Sequence, residues 1–320
     1  MSLDLSALCG WNEAESPYAV AEFRHALETE GQPSVFGDAK PELRGYWDRI
    51  SRKGTDGIFL QDAEQELFGE FRPSFSQGRG TCCAQSSART LQDTICCAIR
   101  RGEVARGVEV STEVDYGISR ISIGKGRLGA GDGSTGAWCF QGHHDIGVVF
   151  RGVYGSIDIS GPREDLAVQW GSPGRGVPAH LLAEAASHKT PACNYLESVD
   201  EIADALAAEY AVQLCCGRIR GQPDAKGYSR SEKNGGHATE LCAVFLSESG
   251  EMCFVEQNSW GAFFGNGLTL KYKGGEKRLR QGSYGVRADD IAQCLRSGGE
   301  AWCSSLPENL PRPSGLEDMT

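Results

Sequence analysis

The sequence predicts an α+β protein with two lobes, and three observations carry that prediction. Helix-period apolar patterns fill the first hundred residues, a glycine-rich stretch follows, and strand-like runs dominate from Gly236 onward. The chain has 320 residues, enough for one large unit or two lobes sharing an interface. Its 32 Lys and Arg against 43 Asp and Glu give a net charge of −11, which argues against nucleic acid and anionic membranes as main partners. Forty-two glycines against 12 prolines, with 40% hydrophobic residues, fit a globular chain rich in turns. No stretch approaches ~18 apolar residues, and the first 17 residues hold neither a basic nor an apolar run, so neither a spanning helix nor a secretory signal is expected. Thirteen cysteines, including the adjacent pairs Cys82–Cys83, Cys96–Cys97 and Cys215–Cys216, show no Cys-x-x-Cys and no zinc-type spacing. Free thiols in a reducing cytoplasm, without a metal or cofactor, are the expectation.

Residues 1–72 read as a helical leader. Ser16-Pro17 offers a cap and a proline at the first helical position, Val20, Phe23 and Leu27 share one face, and Gly31 is a stop. Leu43, Trp47 and Ile50 repeat the pattern, as do Leu60, Ala63, Leu67 and Phe68. A long helix is predicted after Thr81, with Ala84, Ala88, Leu91 and Ile95 at helical spacing and Arg100-Arg101-Gly102 closing it. At ~100° per residue that stripe centres about 150° from Cys82 and about 110° from Cys83, so Cys82 is expected to point away from the core. Residues 102–180 are expected to be irregular, with short β-like runs at 147–150 and 153–159. Ser198-x-x-Glu201 reads as a capping box opening a helix through Ile202, Leu206 and Tyr210, and 211–216 as a buried strand. The proline-containing tail after Cys303 is expected to fray.

Two segments carry chemistry. A thiol in the first turn of a helix meets the positive end of the dipole and unpaired N–H groups, which favour the nucleophilic thiolate, and this marks Cys82. Residues 237–245 and 252–258 form two strands around a Ser247 to Gly250 turn, and folding them about position 248 or 249 sets 258 opposite roughly 239. His237 and Asn258 then lie side by side, and an Asn there holds the imidazole orientation without taking its proton. The other histidines lack such a companion: His25 and His188 fall in helical stretches, His180 and the His143-His144 pair in loops. A metal at His143-His144 with Asp132 or Asp145 is a weaker reading than a solvated loop.

In the order Cys, His, Asn, these pieces resemble the papain-like cysteine peptidases. Asn258-Ser259-Trp260-Gly261 followed by Phe264-Gly265-Asn266-Gly267 is similar to the family's Asn-Ser-Trp-Gly stretch and the glycine motifs behind it. Arg79-Gly-Thr-Cys82-Cys-Ala84 is similar to the family's Gly-Ser-Cys-Trp-Ala block, and closer to the Arg-Gly-Thr-Cys-Val-Ala form of bacterial and phage relatives. The resemblance spans roughly 73–275 and implies a peptidase domain at 73–303, a helical lobe at about 73–180 packed on an antiparallel β-barrel-like lobe at about 181–303, and a flexible tail at 304–320. It implies peptide-bond hydrolysis by Cys82, His237 and Asn258, with no cofactor, Gln77 as oxyanion donor and Trp260 shielding the His–Asn hydrogen bond. Gly131, Asp132, Gly133 and Ser134 resemble the loop that pairs with the substrate backbone near its second residue before the cut, and Gly236 joins them as a substrate-binding position. Glycines there let a peptide backbone approach closely.

The chain departs from the family in places. Gln77 stands five residues before Cys82, one fewer than the family pattern; keeping the spacing makes Cys83 the nucleophile, whereas facing and the local block favour Cys82. Residues 1–72 carry no family propeptide motif, so they read as a propeptide-like segment, an integral lobe or a contact for other proteins. Two rival functions remain open: a thiol amidase acting on cell-wall peptides, and a non-catalytic fold that binds peptides, for instance as a viral or scaffold component.

Overall fold

A computed structural model of the chain describes residues 8–31, 43–105, 109–265 and 267–311. After residues 8–15 come α1 (Ser16–Glu30), α2 (Tyr46–Ser51), β1 (Gly57–Phe59) and α3 (Gln61–Phe68). Pro17 starts α1 and Gly31, at φ 63°, ends it. Ser16 does not cap: it lies inside the helix, and the Glu15 N–H is instead met by Asn12 Oδ1 at 2.9 Å.

The predicted long helix is α4 (Cys82–Arg100). It is buried from Cys82 to Ala98 except at Gln85, because α3, α5 (Thr112–Gly117), α6 (Gly136–Asp145) and the main sheet surround it. A helix enclosed on all sides has no solvent face, so the apolar stripe does not decide exposure, and Cys82 is fully buried rather than turned outward. The polar positions of α4 are buried with partners. Arg280, itself fully buried, donates to Asp93 at 2.8 Å and Glu240 at 2.5 Å, and Arg89 donates to Glu64 at 2.9 Å.

Residues 102–180 are far more helical than their glycines suggest. Beyond α5 and α6, a π-helical turn (Ile118–Ile123), α7 (Glu164–Trp170) and α8 (Ala179–Ala185) occupy them, and among the described residues strand is confined to the small hairpin of β2 (Val153–Tyr154) and β3 (Ile157–Asp158). Hydroxyl caps start two of these helices: Ser111 Oγ accepts the Val114 N–H and Thr135 Oγ1 the Trp138 N–H. At Gly117 the glycine serves close packing, since a Cβ there would lie 2.6 Å from Val177. His143 and His144 therefore sit on α6 and His180 on α8, not in loops.

The remainder follows as β4 (Cys193–Tyr195), α9 (Val199–Ala207), β5 (Val212–Arg220), β6 (Ser231–Leu246), β7 (Met252–Gln257), β8 (Thr269–Tyr272), β9 (Gly275–Arg278), β10 (Ser283–Arg287), α10 (Ala288–Arg296) and β11 (Glu300–Ser304). At α9 Ser198 Oγ accepts the Glu201 N–H at 3.1 Å, while the Glu201 carboxylate reaches the N–H of Glu197, one residue before the cap. The main sheet is antiparallel in the order β10-β7-β6-β5-β11-β4, with β1 added on β6. Its ends, β10 and β4, do not meet, so among the described residues it is an open sheet and not a closed barrel. The β6–β7 register pairs Leu246 with Met252 and Glu240 with Gln257, with one irregularity between Leu241 and Ala243.

Two cores define the lobes. One gathers Leu206, Leu241, Val244, Phe254, Phe264 and Tyr284 around the sheet, and the other Val114, Ile118, Val149, Trp170 and Leu181 among the short helices. Between them lies a small cluster of Trp11, Cys82, Cys83, Cys139, Cys215 and Ala238. Beyond β11 the chain stays docked: the Ser305 N–H meets Ala192 O, and Pro311 O accepts from Ala105. Asn266 and the last part of the tail, 312–320, lie outside the described residues, as do 1–7 and 32–42 of the leader. No described helix is long and apolar enough to cross a membrane.

Candidate active site

The first turn of α4 and the β6–β7 hairpin meet at the junction of the two cores. Cys82 is the first residue of α4, and Thr81 occupies the cap position without capping through its hydroxyl, which is buried without a partner. His237 lies on β6 opposite Cys216 of β5, and Asn258 directly follows β7. The hairpin brings the pair together: His237 Nε2 and Asn258 Oδ1 are 3.1 Å apart. An amide oxygen can only accept, so the bond fixes a proton on Nε2 and orients the ring. Nδ1 is left without an oxygen or nitrogen partner, and the imidazole acts on the Cys82 thiol. The Trp260 ring lies over the imidazole with centroids 4.3 Å apart, and both side chains are buried. The Cys83 thiol lies against that of Cys82 on one side and beside Cys215 on the other, 3.5 Å from Ser134 O.

Burial pushes the Cys82 thiol well above its ordinary range, and the neighbouring Cys83 thiol adds to this. His237 pulls the other way and is outweighed. The lowered pKa expected from a helix start is thus absent in this arrangement, because the thiol has no access to water.

The chain's own residues 8–12 exclude that water. Gln77, buried at the lip of the site, donates its side-chain amide to Leu8 O at 2.7 Å and Arg79 O at 2.7 Å, while its own oxygen accepts the Ser259 hydroxyl. The Ser134 N–H meets Gly10 O at 2.7 Å, the Asn12 N–H meets Ser134 O at 2.9 Å, and the Trp11 N–H meets Gly236 O at 3.1 Å. A Cβ on Gly236 would lie 2.2 Å from Trp11 O, and one on Gly133, at φ 101°, 2.5 Å from Gly10 O. So Gly133, Ser134 and Gly236 hold a peptide backbone, that of the same molecule. Gly131 and Asp132 stand back from it. The Gly131 and Gly133 carbonyls each accept from Arg120 at 2.5 Å, and the Asp132 carboxylate lies 3.9 Å from Arg79 at the rim.

Three features escaped the sequence reading: the crossing segment, Arg120 as anchor of the 131–134 loop, and Glu300, which accepts the Trp11 indole N–H at 2.6 Å. None leaves a local pattern, since each joins positions remote in the chain. Among the described residues the one group of three metal-type side chains with converging atoms is Asp93, Glu240 and Cys242, and Arg280 already neutralises its carboxylates. His143 and His144 face different carboxylates, Asp115 at 3.1 Å and Asp145 at 2.7 Å. The twelve cysteines from Cys82 to Cys303 form no disulfide.

No family model matches the chain. No curated protein matches it either. Solved structures do. Xylellain, a cysteine protease from Xylella fastidiosa, is similar over 78% of this chain and 86% of its own, with a TM-score of 0.51 and 15% identity. Digestive procathepsin L 3 of Tenebrio molitor larval midgut is similar over 91% and 89%, with a TM-score of 0.50 and 16% identity. Procathepsin B S9 from Trypanosoma congolense is similar over 88% and 85%, with a TM-score of 0.52 and 11% identity. At such identities the likeness is one of fold, and the α+β fold of this chain is that of the papain-like cysteine proteases.

Proposed function

We propose that the protein is a cysteine peptidase whose nucleophile is Cys82, held in a latent form by its own N-terminal segment. The observation that carries this reading is the imidazole of His237, tied through Nε2 to Asn258 and acting with its other side on the thiol at the start of α4. Once residues 8–12 leave, water and the helix dipole lower the cost of the thiolate, and the proton moves to His237 Nδ1. The thiolate attacks the scissile carbonyl carbon. The oxyanion takes hydrogen bonds from the Gln77 amide, vacated by Leu8, and from the Cys82 backbone N–H, where one such donor is worth ~10²–10³ in rate. His237 gives its proton to the leaving amine as the C–N bond breaks, leaving a thioester; water, deprotonated by His237, then releases the acid and restores the thiol. Asn258 holds the imidazole throughout, and Trp260 keeps water from their bond.

The test is labelling with iodoacetamide near pH 6 followed by peptide mapping, on the full chain with the cover weakened by Trp11→Ala. Selective modification of Cys82 that disappears in His237→Ala, together with casein hydrolysis lost in Cys82→Ala, supports the reading. Indiscriminate labelling of the thiols, or unchanged hydrolysis in Cys82→Ala, refutes it.

A further inference from the structure

We propose that Arg120 is a positioning residue of this site: from the π-helical turn it fixes the glycine loop 129–133, so that the Ser134 N–H and C=O stand ready as the edge on which a substrate backbone pairs. The inference rests on the peptidase reading and deepens it.

Arg120 is 5% exposed, and its guanidinium is ringed by carbonyls. Nε donates to Gly171 O at 2.8 Å, Nη1 to Gly133 O at 2.5 Å, and Nη2 to Gly129 O at 3.1 Å and Gly131 O at 2.5 Å. The buried arginines Arg89, Arg220 and Arg280 are met by carboxylates and tie elements together. Arg120 instead collects alternate carbonyls of one loop, a task that suits a planar fork of five donors better than the single nitrogen of a lysine. It stands in a π-helical turn, Ile118–Ile123, a distortion that often accompanies a functional site.

Two buried neighbours complete the hold. The Arg120 guanidinium lies 5.3 Å from the centre of the Tyr116 ring, whose hydroxyl accepts the Gly133 N–H at 3.1 Å, and Ser134 Oγ donates to Ser119 Oγ at 3.0 Å. Gly133 therefore gives both of its backbone groups to this turn, the N–H to Tyr116 and the C=O to Arg120. Ser134, the next residue, turns both of its own toward the crossing peptide: its N–H meets Gly10 O at 2.7 Å and its C=O accepts the Asn12 N–H at 2.9 Å. Glycine occupies 129, 131 and 133, with φ of 58° at the first and 101° at the last, and a chain so free does not hold a pairing edge by itself. Fixing the edge beforehand removes an ordering cost from each binding event, so the benefit goes to a ligand that pairs through its backbone and not to one without a backbone.

The experiment uses the full chain carrying Trp11→Ala, alone and with Arg120→Lys or Tyr116→Phe added. The probes are acetyl-Leu-Leu-Leu chloromethyl ketone and its three analogues in which one leucine N–H is replaced by an ester oxygen. The Cys82 thiolate displaces chloride from the methylene carbon to form a thioether, and mass mapping reads the rate. At one position the ester reagent is expected to react about 3- to 10-fold more slowly than the all-amide one, the worth of one backbone hydrogen bond. In Arg120→Lys that ratio is expected to fall at least about twofold, and in Tyr116→Phe, which loses only the hydroxyl, to fall in the same direction. Iodoacetamide has no backbone to pair, so its rate with Cys82 is expected to stay within about twofold. All four peptides slowed alike by Arg120→Lys, with the ratio kept, means that the arginine only supports the fold and overturns the proposal. A ratio of about one at every position before the arginine is changed overturns it too. If Arg120→Lys does not fold, Tyr116→Phe decides by the same ratio. Iodoacetamide separates the two failures. His237-dependent labelling of Cys82 with an unchanged ratio sinks the positioning role alone, whereas no selective labelling sinks the peptidase reading and this inference with it.

Discussion

Replacing Trp11 by alanine is expected to open the site without unfolding the protein. The perturbation removes a ring that is almost wholly buried between the two cores, and with it the hydrogen bond to Glu300. Truncating a buried tryptophan costs about 3–5 kcal/mol, here charged to the closed arrangement of residues 8–12 and not to either core. At 1.4 kcal/mol per decade, the open population rises about 10²- to 4 × 10³-fold. If closing is fast relative to alkylation, the rate at which iodoacetamide modifies Cys82 rises by the same factor, because only the open form exposes the thiol. Peptide mapping over a time course at fixed pH measures it. Trp11→Phe, which keeps most of the ring but loses the indole N–H, is expected to fall between, with a gain of about 10- to 150-fold from the roughly 1.5–3 kcal/mol of one hydrogen bond to a charged group. Tyr18→Ala, at an exposed position of α1, serves as the control and leaves the rate unchanged. A Trp11→Ala rate within twofold of the parent would mean that residues 8–12 are not what covers the thiol, and the latent reading would fall.

Asn258→Ala should lower kcat of the opened enzyme by on the order of 10²-fold with little change in KM, since a misoriented imidazole transfers protons poorly; steady-state kinetics on a fluorogenic peptide checks it. Burial raises the Cys96 thiol to about 11 and those of Cys193 and Cys253 to about 12, against an ordinary 9.0. The folded state thus holds protons that the unfolded chain releases, so stability is intact below pH 9 and falls as pH climbs toward 11, by about 1.4 kcal/mol per pH unit for each thiol; urea midpoints across that range measure the slope, and Cys193→Ala should flatten it. Arg280→Ala should cost about 3–5 kcal/mol in urea unfolding, because Arg89 would remain as the one buried cation beside the three buried carboxylates of Asp93, Glu64 and Glu240.

The parts of the site legible in the sequence are those made by local periodicity. The β6–β7 hairpin is closed by a short turn, so counting outward from Ser247 to Gly250 was enough to set Asn258 beside His237. Helix α4 was equally plain, but its surroundings were not: a helical wheel ranks faces by apolar content, and α4 has charged partners where the wheel assumes water. The glycines of 102–180 misled because the sequence shows their missing side chains and not the neighbours, such as Val177 against Gly117, that need the space. The crossing of residues 8–12 was out of reach for another reason. Backbone pairing of Gly10 with Ser134 and of Trp11 with Gly236 uses groups that every residue has, across separations no motif spans.

The covering segment is continuous with α1, whose Ala19 and Phe23 pack against Trp138, Phe140 and Trp302. On the proposed function, residues 8–12 are therefore a tethered competitor, anchored four residues away at Ser16. A short tether gives such a ligand an effective concentration in the millimolar range, so its intrinsic grip on the pocket can be weak and still keep the site filled. A peptide arriving from solution competes against that fixed local concentration and not against the protein's own abundance. The threshold for entry is then a property of each molecule, unchanged by dilution, and it moves only when the anchor is cut or α1 is loosened from α6.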